Sequence, residues 1–209
     1  MDSYKYLVFD AQYFLTRNFK ALNRTCEELP VLDENGNKVL SEDGTEITFE
    51  SMTATSDTLV KSFFQSIVKF VRDTASCRKI VLLFDRWPYH KDQIVEEYKG
   101  SRFYATQEDL EAIDRKTEPL KYAEMEEELR RNKIKQDAKY FIISNFEQIG
   151  MKVYSRKGYE ADDYAMLIAK YLENDNETID TEDLINNVSE EMEQEAEKEH
   201  PLHQNTDRD

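Results

Sequence analysis

Cysteine is scarce in this chain. Only Cys26 and Cys77 occur in 209 residues, with no paired spacing, so neither a disulfide framework nor a structural zinc site is expected and reduced thiols in an intracellular setting are the simpler reading. Long apolar runs are missing too. No stretch approaches the roughly 20 apolar residues that a membrane span needs, and Met1-Asp2-Ser3-Tyr4-Lys5-Tyr6 lacks the basic start and apolar core of a signal peptide. A soluble, cytoplasmic protein is expected. Positive charge is also in deficit, with a formal net charge of -16. The deficit is concentrated: residues 173–209 hold 14 acids against Lys198 and Arg208, which leaves 30 acids and 26 bases in residues 1–172. A near-balanced body can present a local basic surface and so meet nucleic acid, which a uniformly acidic protein would repel. The length allows one ordinary domain with appendages.

What is present is a series of apolar runs that end in acids. Tyr6-Leu7-Val8-Phe9 reads as a buried strand that delivers Asp10 at its C-terminal end, and Ala11 to Leu22 follows with helical character and carries Arg17. Residues 23–57 are polar and turn-rich. Val31 to Leu40 contains the Asn-Gly signal of a β-hairpin, so 23–57 reads as a surface insertion. Ser56 or Asp57 can cap a helix in which Leu59, Phe63, Ile67, Phe70 and Val71 repeat at helical spacing. Lys79 to Phe84 is a second apolar strand ending in an acid, Asp85. Two such strands joined through a helix form a β-α-β unit, and ligands of these folds collect outside the carboxyl ends of the strands.

Next comes a short basic cluster with an aromatic, Tyr98-Lys99-Gly100-Ser101-Arg102, suited either to a solvated loop or to phosphate recognition with Tyr98 stacked on a base. Thr106 and Asp109 form a capping box. A long helical stretch from about Leu120 carries Arg130, Arg131, Lys133, Lys135 and Lys139 behind Glu124, Glu126, Glu127 and Glu128, a mixture that usually marks an exposed face laced with i, i+4 pairs. Ala138, Phe141, Ile142, Phe146 and Ile149 are expected to face inward, and Gly150 to stop the helix. Met151 to Tyr154 reads as a third strand. It leads to Gly158-Tyr159-Glu160-Ala161-Asp162-Asp163, which opens a helix whose Ala161, Tyr164, Ala165, Ile168 and Leu172 would lie on a core.

Three carboxylates in one first turn exceed what capping asks, since capping and the macrodipole account for one or two. With Asp10 and Asp85 they make an acidic pocket at three strand ends. An oxygen-only donor set without Cys or His selects a hard cation, Mg²⁺ or Mn²⁺, over zinc. His200 and His203, beside Pro201 in the acidic stretch, are read as incidental.

In their order, Leu7-Val8-Phe9-Asp10 with Arg17 after it, Ile80 to Asp85, Glu97-Tyr98-Lys99-Gly100-Ser101-Arg102, and Tyr159-Glu160-Ala161-Asp162-Asp163 resemble the flap endonuclease and 5′-3′ exonuclease family, phage ribonuclease H enzymes included. The matching pieces span residues 5–172. The resemblance implies a three-layer α/β fold, PIN-like, with a mostly parallel sheet, helices on both faces and a helical arch at about 103–138. It implies that Asp10, Asp85, Glu160 and Asp162 hold the first of two catalytic metals, directly or through waters, with Asp163 adjacent. Lys99 and Arg102 would act at the scissile phosphate. Arg17, Tyr98, Arg130, Arg131, Lys133 and Lys135 would contact nucleic acid. The substrate would be DNA with 5′ single-stranded ends or an RNA-DNA hybrid, cut during replication or repair. Family members continue with a further strand ending in Asp-x-Asp and a helix-hairpin-helix module. Asp180, Glu182 and Asp183 follow no apolar strand and are not accepted as substitutes, so the domain is expected to be truncated at its C-terminus, with 1–172 as the nuclease part and 173–209 as an acidic, mobile tail. A DNA-binding module, or one half of a split nuclease completed by a C-terminal partner chain, is the alternative.

Overall fold

The computed structural model describes residues 3–74, 76–86 and 105–173. Tyr98, Lys99 and Arg102, and the acidic tail beyond Glu173, lie outside the described residues. The elements run β1 (Ser3–Asp10), α1 (Ala11–Leu22), β2 (Cys26–Pro30), β3 (Thr48–Met52), α2 (Ser56–Thr74), β4 (Ser76–Leu83), α3 (Gln107–Glu111), α4 (Pro119–Asn145), a 3-10 turn (Phe146–Ile149), β5 (Met151–Tyr154) and α5 (Ala161–Glu173).

The main sheet is parallel, in the order β1-β4-β5. Asp10 pairs with Leu83 and Leu83 with Tyr154, so all three strands end at one level. Alternation of side chains gives each face its own core. On one face Phe9, Leu82 and Met151 pack under Leu15 of α1, Leu59, Phe63 and Ile67 of α2, and Ala138 and Ile142 of α4. On the other, Val81 and Leu83 meet Tyr159, Ala161, Tyr164 and Ile168, the last three from α5. The fold is therefore α/β with helices on both faces of a parallel sheet. Each fully buried Leu, Ile or Phe contributes on the order of 2 kcal/mol of apolar burial.

Several local expectations hold and several shift. Helix α1 runs over the expected residues, with Asp10 as its N-cap. The Thr106–Asp109 capping box forms, and Gly150, at φ 87°, ends the 3-10 turn where a residue with a Cβ would be strained. The start of α2 differs: Ser56 is already helical, and Thr55 is the cap, its Oγ1 accepting from the Thr58 amide at 3.3 Å. On α4, Phe141 is 52% exposed and Ile149 beyond it 57%, because the inward stripe runs through Ala138, Ile142 and Phe146 alone. On α5, Ala165 is exposed and Leu167 is buried in its stead. Phe70 keeps 38% of its surface while its ring meets that of Phe9 edge to face at 5.3 Å.

The insertion is a hairpin built on a repeat. Val31-Leu-Asp-Glu-Asn-Gly-Asn-Lys38 is followed by Val39-Leu-Ser-Glu-Asp-Gly-Thr-Glu46, and each octet folds into its own small turn, bridged Leu32 to Lys38 and Leu40 to Glu46. Backbone bonds link Val31, Val39 and Ile47 in a ring: Val31 N to Ile47 O, Val39 N to Val31 O, Ile47 N to Val39 O. The expected hairpin at 31–40 is thus the first of two, and both sit at the tip of the longer β2–β3 pair.

Candidate functional site

The acids arrive at the carboxyl ends of the strands by different routes. Asp10 ends β1, and its Oδ1 accepts the Tyr13 amide at 2.7 Å. Asp85 lies two residues past β4. Its Oδ1 accepts the Ala161 amide at 2.8 Å, so a side chain from one strand end caps the helix that follows another. The segments between are stitched by backbone bonds from Phe84 N to Tyr154 O, Arg86 N to Tyr159 O and Gly158 N to Arg86 O. Gly158 turns at φ 101°, a conformation that favours glycine, and the chain then enters α5 at the sheet's edge. Burial raises the Tyr164 hydroxyl to about 12. That hydroxyl accepts the Arg156 amide at 3.1 Å and holds the same loop.

Within the acidic turn the roles divide. Asp163 reaches back to the Glu160 amide at 2.9 Å, which is half of a capping box. Glu160 precedes the helix and is only 4% exposed. Asp162 is exposed in the first turn. Asp10, Asp85 and Asp162 act on one another: the Asp10 pKa is raised, first by desolvation of its carboxyl and then by the Asp85 and Asp162 charges, against the lowering effect of the Tyr13 and Gln12 amides. Like charges that crowd in this way leave an anionic field for a cation to relieve, and the all-oxygen donors suit a hard divalent ion. The spacing is looser than a coordination shell: among the described residues no three His, Cys, Asp or Glu side chains stand close enough to hold a metal.

The predicted nucleic-acid contacts spread over several surfaces. Arg17 is exposed on α1, two turns beyond Asp10. Arg130 and Arg131 are engaged in a clamp. Both pair with Glu127 at 2.7 Å, and Arg130 also donates to Ser51 Oγ and the Met52 carbonyl, Arg131 to the Glu50 carbonyl at 2.8 Å. These bonds pin α4 to β3, a structural use in place of the predicted phosphate grip. Lys133 pairs with Asp137 at 2.9 Å, and Lys135 lies 5.8 Å from the centre of the Phe19 ring. Residues 105–138, where the resemblance implies an arch, are α3, a turn and most of α4 laid along the hairpin. A cleft of about 560 Å³ beside the clamp is walled by Glu50, Glu124, Glu127 and Glu128 and includes none of the strand-end acids.

The residue that the pattern of charges did not single out is Lys139. Its Nζ is directed into the strand-end region, donating to Gln12 Oε1 at 2.9 Å and to the Asp85 carbonyl. A signal was present. Lys121, Arg130, Arg131 and Lys133 each have an acid three or four residues away, Glu118, Glu127 or Asp137, whereas Lys139 has Lys135, Gln136, Ile142 and Ile143 at those positions. A base without a partner on its own helix must find one elsewhere.

Compared with known proteins, the chain matches no family model, no curated protein and no solved structure. Among the described residues no helix is long and apolar enough to cross a membrane.

Proposed function

We propose that this chain is the α/β part of a divalent-metal-dependent 5′-nuclease of PIN-like arrangement, hydrolysing phosphodiesters at 5′ ends or flaps of DNA or RNA-DNA hybrids. The observation that supports it is the shared field of Asp10, Asp85 and Asp162 at the carboxyl ends of a parallel sheet, where ligands of such folds bind. Residues 1–172 form the nuclease body in this reading, with 23–57 as a hairpin insertion, 103–138 as the arch segment and 173–209 as an acidic appendage. Asp10, Asp85 and Asp162, with Glu160 and Asp163 behind them, would hold Mg²⁺ or Mn²⁺. Such a cation polarises the phosphodiester and lowers the pKa of an attacking water. The protein's part is to fix the carboxylates: α1 orients Asp10 through the Tyr13 amide, and α5 orients Asp85 through the Ala161 amide. Lys99 and Arg102 would stabilise charge at the phosphate, and Arg17 would hold the strand beyond it.

The test is cleavage of 5′-flap DNA and of an RNA-DNA hybrid with Mg²⁺ or Mn²⁺. Wild type is expected to cut and Asp162→Ala to lose roughly a hundredfold or more. Equal rates for the two would overturn the reading. DNA binding without cleavage, with cutting restored by a complementary C-terminal chain, is the outcome that the incomplete-module alternative predicts.

A further inference from the structure

We infer that Lys139 is the internal counter-ion of the strand-end acids, a positioning residue that acts through Asp85 and competes with an incoming divalent cation; this rests on the metal-site reading above. The first observation is where the ammonium lies. It bridges the first turn of α1, at Gln12 Oε1, and the carbonyl of Asp85 just past β4. Those are the two segments that carry Asp10 and Asp85. The bridge therefore sets how far apart the two carboxylates stand.

The second observation is what holds the charge. A buried ammonium is costly unless it is compensated. Here burial, Lys135 and Arg86 all disfavour it, while Asp85 favours it, and the ammonium settles at about 8, below its ordinary value. The two oxygens it touches are neutral, and the Phe84 ring, 5.7 Å away, adds a modest cation-π attraction. The ionic partner is thus Asp85, a member of the acidic group. A lysine kept in so unfavourable a place, with no acid within reach on its own helix, balances charge for the site and not for α4.

One cation already in place has a definite consequence. It stabilises the acids when no metal is bound, and it repels a divalent ion that arrives. Removing the charge while keeping the hydrogen bonds should weaken the metal-free fold and tighten metal binding. A residue that merely braces the fold predicts the opposite, because a looser site binds less well.

The experiment is Mn²⁺ titration of the full chain, followed by the free-ion paramagnetic resonance signal, with thermal melts in the presence and absence of Mn²⁺. Lys139→Gln keeps a donor toward Gln12 and the Asp85 carbonyl and drops the charge; Lys139→Arg keeps the charge. Expected for Lys139→Gln is a lower Tm without metal, a larger Mn²⁺-induced rise in Tm, and affinity on the order of fivefold tighter. Lys139→Arg should bind as wild type does. If Lys139→Gln binds Mn²⁺ equally or more weakly while Asp162→Ala abolishes binding, the role given to Lys139 is overturned and the metal site stands. If wild type binds no Mn²⁺, or Asp162→Ala leaves binding unchanged, both fall.

Discussion

Glu127 and Asp10 each accept a backbone amide, from Met52 at 2.8 Å and from Tyr13 at 2.7 Å, but the charges around them have opposite sign. Glu127 is 6% exposed. Burial alone would raise its pKa, yet the guanidinium groups of Arg130 and Arg131 and the Met52 amide outweigh it and hold the carboxyl at about 2. Asp10 has desolvation and two further carboxylates pushing the other way. One region spends its charges on joining α4 to β3. The other leaves like charges crowded at the sheet's carboxyl edge, a cost that a fold tolerates where a ligand is to be bound.

The comparison breaks most visibly at Glu127. Glu127→Ala removes the partner of two arginines and of the Met52 amide, and stability should fall by about 3–5 kcal/mol, read from urea denaturation. Replacing Glu127, Arg130 and Arg131 together with apolar side chains should cost less than the single change, since no charge is left unpaired. A loss under about 1 kcal/mol for Glu127→Ala would place the anchoring of α4 elsewhere. The same contrast has a pH signature of intermediate size. The Glu127 carboxyl is depressed from its ordinary 4.5 to about 2, so its contribution is fully present above pH 4.5 and is lost as pH falls toward 2. Asp10 is raised, so its ionised form is disfavoured in the fold, and protonating it on the way down restores stability. Glu127→Gln should therefore flatten the acid limb of a stability-pH curve between 4.5 and 2. If it leaves that limb as steep, the slope belongs to other groups.

How far the sequence reached follows the range of the interactions. Strands ending in Asp10 and Asp85, the helix between Ala11 and Leu22, and the Thr106–Asp109 box rest on neighbours in the chain, and they fold as read. The sheet's parallel character was legible for the same reason, because continuous apolar runs imply two covered faces. The clamp was half legible: Arg130 and Arg131 lie three and four residues from Glu127, but that their remaining donors close on Ser51, Met52 and Glu50 depends on where the hairpin lands. Lys139 was not seen as a site residue, since its partners are 54 and 127 positions away. The octet repeat in 31–46 was plain in the letters, but one Asn-Gly turn was taken as the whole hairpin.

The smallest effect is the most discriminating. Asp10→Asn keeps an oxygen on the side chain, so the cap on the Tyr13 amide survives, and asparagine caps helices about as well as aspartate. What disappears is one of the three mutually repelling charges. The metal-free protein should then be unchanged or more stable by up to about 1 kcal/mol, measured by the same denaturation, whereas its Mn²⁺-induced stabilisation should shrink or vanish. A carboxylate that serves the fold, as Glu127 does, shows the reverse, with stability lost and no bearing on the metal. If Asp10→Asn destabilises the protein by more than about 1 kcal/mol without metal, Asp10 belongs with Glu127 among the structural acids. The strand-end field would then rest on Asp85 and Asp162 alone, too few to distinguish a cation site from a pair of helix caps.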